Sequence, residues 1–312
     1  MITGNTFYLN FEPALMIWLQ RYAGTAGTML AIAATHLGEE AVLVGVLGFV
    51  YWCYDKEFGK YVGVNIVTAL VCNPMLKNIA LRRRPYFDHP QIKCLKPVKS
   101  GADIYDITAQ GFSFPSGHSM NSVTVYGSLA MYKKTKVLTA IAIIVPLLVG
   151  FSRVMLGVHY PTDVFVGWVM GGLILVVMTR LQRMVKRKWI LFLVIFLLSA
   201  LGIFYCRTTD YFTALGIQGG FFLSVLFEEK YVHFEVTRKP LVCVVRVLCG
   251  VLAYLILNTL LKLPFSKDFL ESVTMASFLV RALRYALVSF LTIGVYPMAF
   301  RLEKKLSKPK AA

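Results

Sequence analysis

Acidic residues are scarce in this chain: Asp and Glu total 16 in 312 residues, against 33 Lys and Arg. Charge of either sign is scarce as well, at 16%, where soluble domains carry about 25%. With 57% of residues apolar, that deficit excludes a disordered chain and argues against a water-soluble fold, whose single core could not bury so much apolar surface. Cysteines number six. None forms a CxxC pair and none clusters with His at zinc spacing, which excludes a secreted disulfide scaffold and a zinc module. Cys53, Cys72, Cys243 and Cys249 sit in apolar stretches and read as small core residues. A disulfide between Cys94 and Cys206 stays open. The first eleven residues hold no Lys or Arg, which argues against a cleaved signal peptide. No internal repeat, low-complexity tract or Asn-x-Ser/Thr acceptor occurs.

Long apolar runs are what the chain does have. They predict an all-α, polytopic membrane helix bundle of about nine transmembrane helices, each near the roughly 20 residues a bilayer requires. Their cores fall at 38–54, 61–81, 119–133, 136–156, 161–180, 189–206, 211–228, 241–261 and 284–300. Residues 12–35 are mixed in character and are expected to lie along the interface or re-enter the bilayer. Three parts follow: an N-terminal segment over 1–37, a core over 38–180, and further helices with a basic tail over 181–312. Tyr51, Trp52, Tyr54, Trp168 and Trp189 are candidates for the aromatic belt at the membrane surface, ordinary packing being the alternative.

The net charge of +17 would suggest nucleic acid in a soluble protein. In a membrane protein it reads first as cytoplasmic loop charge, so no nucleic-acid partner is expected. Lys133, Lys134 and Lys136, then Arg180, Arg183, Lys186, Arg187 and Lys188, then Arg238 and Lys239, and finally Arg301, Lys304, Lys305, Lys308 and Lys310 all fall on one side of a nine-span topology. That side is the cytoplasm, which puts the N-terminus outside and the C-terminus in the cytoplasm. Residues 82–115 break the pattern. This outer loop holds Arg82, Arg83, Arg84, Lys93, Lys96 and Lys99, so either the span count is off by one or the cluster binds anions. The agreement of the other loops favours anion binding.

Three segments carry candidate chemistry. Lys77 and Arg84 are seven residues apart, which on one continuous helix would set them two turns apart on nearly one face, converging on an anion. Snorkelling at a helix end is the plain alternative. In Pro115-Ser116-Gly117-His118, Ser116 is placed to cap a helix, Gly117 lets a ligand approach the backbone, and the exposed N–H groups favour an anion. His118 stands beside them, able to exchange a proton near neutral pH. In the third segment, Arg153 precedes His159, and Pro161 suits the first turn of a helix that includes Asp163. A carboxylate there can hold one imidazole nitrogen and leave the other as a nucleophile. All three segments fall at the outer face, where intramembrane charge is costly and marks function.

Together, K-x6-R-P, P-S-G-H and S-R-x5-H-x3-D resemble the signature of the type 2 phosphatidic acid phosphatase superfamily, over residues 77–163. The chain is similar to the longer sphingosine-1-phosphate phosphatase and glucose-6-phosphatase branches. The resemblance implies a metal-independent phosphatase with no cofactor, in which His159 forms a phosphohistidine, Asp163 orients it, and His118 protonates the leaving oxygen and then activates water. It implies that Lys77, Arg84, Ser116, Gly117 and Arg153 hold the phosphoryl oxygens. The expected partners are a lipid phosphate or diphosphate substrate and membrane lipids. Arg82 and Arg83 stand outside the signature; they would favour a diphosphate if they held a second phosphate, the alternative being attachment to anionic headgroups. His89 reads as a solvated loop residue. Sugar-phosphate hydrolysis, phosphotransfer to an alcohol, and lipid binding or transport without turnover remain as alternatives. The expected location is the cytoplasmic membrane in a bacterium, or the endoplasmic reticulum in a eukaryote, where Lys308 and Lys310 would resemble a dilysine signal.

Overall fold

A computed structural model describes residues 4–301; the tail lysines Lys304, Lys305, Lys308 and Lys310 lie outside these described residues. Helices dominate: α1 (Phe11–His36), α2 (Glu40–Phe49), α3 (Lys56–Ala80), α4 (Pro85–Asp88), α5 (Ile107–Gln110), α6 (Gly117–Lys133), α7 (Lys136–Met155), α8 (Pro161–Met184), α9 (Lys188–Ala200), α10 (Thr209–Phe227), α11 (Pro240–Leu260), α12 (Lys267–Glu271) and α13 (Met275–Ser289). Among the described residues there is no strand, only an isolated bridge between Asn5 and Arg82.

Among the described residues six helices are long and apolar enough to cross a membrane: Lys56–Ala80, Lys136–Met155, Pro161–Met184, Thr209–Val232, Pro240–Leu260 and Met275–Ala299. The other three expected spans fall short of that standard. Val42–Tyr54 and Lys188–Phe204 are apolar but shorter, and α6 has 17 residues with Ser, Asn and Thr throughout its buried face. Its hydroxyls bond locally, as where Ser122 Oγ donates to the Ser119 carbonyl and Thr124 Oγ1 to that of Met120.

The chain divides into two compact units. The first joins Cys72–Arg180 to Met1–Leu43 and Phe204–Thr208. Within it α7 packs on both α6 and α1. α1 turns at Gly24, whose φ of 56° is open to glycine and costly for other residues. Both arms of α1 therefore come back to the same end of α7. Met16 packs with Val154, Tyr160 and Val164, while Ala31 packs with Met155, Leu156 and Val158. On α8, a Cβ at Gly167 would come within 2.7 Å of the Ser116 carbonyl, and one at Gly171 within 2.6 Å of the Met120 carbonyl. Only glycine at these positions lets α8 lie directly on the α6 backbone.

The second unit contains Val44–Val71, Leu181–Ile203 and Thr209–Ala312. Here α10 packs on α13 and α9, and α11 on α13. Tyr51 and Trp52 are buried in this unit's core with Cys53, Val232, Phe234 and Cys243, so neither is an aromatic-belt residue. None of the six cysteines forms a disulfide, Cys94 and Cys206 included, and Cys249 is exposed rather than in a core.

Candidate active site

The first motif does not form one continuous helix. α3 stops at Ala80, Leu81 takes a left-handed φ of 51°, and Arg84 is the N-cap of the short α4. The two-turn spacing of Lys77 and Arg84 is therefore not what orients them. Lys77 is half-buried on the last turn of α3. Arg84 is buried, its Nε donating to the carbonyls of Gln110 and Gly111 at 3.0 and 3.1 Å. Its Nη1 donates to the Val158 carbonyl at 2.9 Å and lies 3.5 Å from His159 Nε2.

Ser116 is the N-cap of α6, and its hydroxyl accepts from Ser119 N–H and Ser119 Oγ. Asn73 Nδ2 donates to the Pro115 carbonyl, tying α3 to this turn, and its Oδ1 would stand 3.0 Å from a Cβ at Gly117. The Ser116 N–H donates to the Asp163 carbonyl at 2.9 Å, which joins the second motif to the third. His118 is half-buried in the first turn of α6.

A tight turn at Gly157, with φ 77°, presents His159 between α7 and α8. Both chain neighbours of His159 are tied: Val158 by Arg84, and Tyr160 by its N–H bond to Asp163 Oδ2 at 2.8 Å. His159 is buried, with Nδ1 3.4 Å from Asp163 Oδ2. That separation is within ion-pair range for a protonated ring but is no hydrogen bond, since Nδ1 has no hydrogen-bond partner. Burial and the charges of Arg84, Arg153, Lys77 and His118 hold its pKa well below the ordinary 6.5, so the imidazole is neutral near pH 7. A neutral ring protonated at Nδ1, toward the carboxylate, keeps the Nε2 lone pair on the side of the cations. Arg153 is buried and donates from Nη1 to Thr35 Oγ1 at 2.8 Å.

The structure thus brings all eight sequence-derived residues into one unit around the α7–α8 turn. It also corrects three expectations. Arg82 is no anion receptor: buried, it is paired with Asp163 Oδ1 at 2.6 Å and Glu12 Oε2 at 3.1 Å. Arg83 is paired with Asp88 at 2.6 Å and also bonds Thr6, and Lys96 is paired with Glu39 at 2.5 Å. Much of the basic outer loop is thus neutralised by carboxylates of its own unit. His89 is half-buried rather than a solvated loop residue: its Nε2 is buried, and the ring packs edge-on against Tyr8 and Tyr160. Glu12, Thr35, Asn73 and Thr162 were not legible as site residues. Glu12 alone had a signal, a carboxylate in an apolar segment. Among the described residues no group of three or more His, Cys, Asp or Glu is gathered as metal ligands would need.

Residues 58–187 match the PAP2 superfamily, and 212–308 match its phosphatase transmembrane extension. Phosphatidylglycerophosphatase B of Bacillus subtilis is 32% identical over 166 residues, 49% of this chain and 74% of that protein. The chain belongs to the PAP2 superfamily. Decaprenylphosphoryl-5-phosphoribose phosphatase of Mycobacterium tuberculosis is 30% identical, over 52% of this chain and 85% of that one. Undecaprenyl-diphosphatase of Sulfolobus acidocaldarius is 29% identical, over 38% and 52%. This PAP2 chain is a membrane-integral phosphatase, and its PAP2 match encloses every residue of the three motifs.

Proposed function

We propose that this PAP2 phosphatase hydrolyses a lipid phosphate or diphosphate through a phosphohistidine on His159, without a metal. The observation that carries the reading is the two-sided setting of His159, with Nδ1 toward Asp163 and Nε2 toward Arg84. Nε2 attacks phosphorus as the P–O ester bond breaks; His118, whose pKa burial and the neighbouring cations keep low, is protonated when the bound phosphate's negative charge offsets those cations, and donates that proton to the leaving oxygen. His118, now neutral, takes a proton from water; the water oxygen attacks phosphorus, the P–N bond breaks, and its electron pair returns to Nε2. Lys77, Arg84, Arg153, Ser116 and the Gly117 amide hold the phosphoryl oxygens, where fixed donors act most strongly on developing charge. Ion pairing of Arg82 and Arg83 removes them as a reason to prefer a diphosphate.

The positive loops support a site on the extracytoplasmic face, with the N-terminus outside and the C-terminus in the cytoplasm. For nine spans, the helices Val42–Tyr54 and Lys188–Phe204 and α6 would join the six long ones. The division at residues 37 and 180 belongs to the same reading, with α1 as an interfacial or re-entrant element. The test is phosphate release by detergent-purified protein, with chelator present, from phosphatidic acid, phosphatidylglycerophosphate, a sphingoid-base phosphate, undecaprenyl diphosphate and glucose 6-phosphate. Release from a lipid that is lost in His159→Ala is expected. Release from the sugar phosphate alone would overturn the lipid assignment.

A further inference from the structure

Three buried charges lie in a row beside the proposed nucleophile. Glu12, Arg82 and Asp163 are all at or below 1% side-chain exposure. Burying charge this completely is costly unless each group is paired and oriented. The Arg82 guanidinium is held between the rings of Phe7 and Tyr160, 4.6 and 4.0 Å from their centroids.

The division of its hydrogen bonds is informative. Arginine tends to take a carboxylate with both arms of its fork. Arg82 does not. Nη1 donates to Asp163 Oδ1 at 2.6 Å and Thr162 Oγ1 at 2.8 Å, while Nη2 goes to Glu12 Oε2 at 3.1 Å. Asp163 Oδ2 is thereby left to the Tyr160 N–H and to the face of His159 Nδ1. Glu12 does a second thing: its Oε1 accepts from both the N–H and the hydroxyl of Thr162, at 2.8 and 2.7 Å. It therefore holds the first turn of α8, the turn that carries Asp163.

We propose that Glu12 and Arg82 are positioning residues of the phosphatase reaction: Glu12 occupies one arm of Arg82 so that a single Asp163 oxygen stays reserved for His159. This rests on the assignment of His159 as nucleophile. Without the Glu12 charge, Arg82 swings to grip both oxygens of Asp163, and the carboxylate becomes a poorer partner for the Nδ1 proton. The imidazolium form of His159, faced by Arg84, Arg153, Lys77 and His118, is then less well offset by the Asp163 carboxylate.

The test compares Glu12→Gln and Thr162→Val with the parent in detergent, using 32P-labelled phosphatidic acid. Steady-state rates are read across pH, and phosphoenzyme is trapped in alkaline denaturant. For Glu12→Gln, kcat falls roughly 10- to 100-fold, a loss typical of removing an outer partner of a site histidine. KM stays within about 2-fold, since the substrate-binding cations are untouched, and the acid limb of kcat/KM moves to lower pH. For Thr162→Val, which removes the hydroxyl's bonds to Glu12 Oε1 and from Arg82 Nη1 but leaves both charges paired with each other, the fall is about 5-fold, the low end for two hydrogen bonds, with a smaller shift of the same sign. Thr162→Val keeps the question open to measurement if Glu12→Gln does not fold. A rate loss with the acid limb unmoved means support of the fold only and overturns the proposal, as do parent-like kinetics in both variants. His159→Ala separates the two layers: label persisting in it refutes the nucleophile, whereas label lost in it beside parent-like Glu12→Gln refutes only the clamp.

Discussion

Each of the two units gathers a group of charges around buried members, and the two groups differ in kind. In the second unit Lys60 pairs with Glu57, Glu228 and Glu229 at 2.8 to 3.0 Å, Lys56 with Glu228, and Lys188 with Glu57 and Glu229. Three lysines meet three glutamates, and no histidine takes part. In the first unit cations outnumber carboxylates around two histidines, and His159 Nδ1 and Arg153 Nε are buried without hydrogen-bond partners. A balanced cluster fastens helix ends, whereas an unbalanced cationic one around a neutral imidazole is prepared for an anion. Burial of charge alone does not identify a site; the sign left over does.

The sharpest way to break this contrast is to remove the proposed nucleophile. His159→Ala is expected to lower kcat by roughly 10⁴-fold or more, as loss of a covalent catalyst does, with the melting temperature in detergent little changed. Residual turnover within tenfold of the parent would place both clusters in the structural class. Glu228→Gln tests the other side. It leaves Lys56 with the Phe234 carbonyl as its remaining bond partner in that cluster and is expected to cost about 3 kcal/mol of stability, in the range for breaking a buried pair. The kcat of the folded protein is expected to hold; a matching loss of kcat would make the second cluster functional.

The pH profile sharpens the same point more gently. Because the His159 pKa is depressed below 6.5, the neutral imidazole persists as pH falls, and activity that depends on it is lost only as pH drops through the lowered value. The acid limb of kcat/KM is therefore expected below pH 6.5, and a limb above it would contradict the cationic surroundings. The smallest effect belongs to Lys188→Gln. Its side chain is 44% exposed, and its removal is expected to cost less than about 1 kcal/mol, read as a shift in thermal unfolding.

Much of the site was legible because its signals are local. Ser116 caps α6 and Pro161 opens α8, since both depend on the few residues around them. The seven-residue spacing of Lys77 and Arg84 misled, because Leu81 breaks the helix between them and the two are placed by separate elements. The surplus arginines misled for a related reason. Arg82 finds Glu12 from 70 positions away and Asp163 from 81, and no spacing rule reaches that far. Among the helices, 119–133 reads in the sequence as an apolar span, whereas α6 buries Ser, Asn and Thr, and α8 lies on it only because Gly167 and Gly171 have no Cβ.

The sequence by itself determined that the chain is helical and membrane-integral, and which histidines, aspartate and cations carry the PAP2 signature. Apolar run length and motif chemistry are properties of contiguous residues. Tertiary structure alone decided which charges are spent on one another and which remain facing His159. That choice depends on the bend at Gly24, which brings both arms of α1 to the α7–α8 turn, with Glu12 on Arg82 and Thr35 on Arg153. In a low-dielectric interior an ion pair is settled by distance in space, and distance in space is what a linear sequence does not contain.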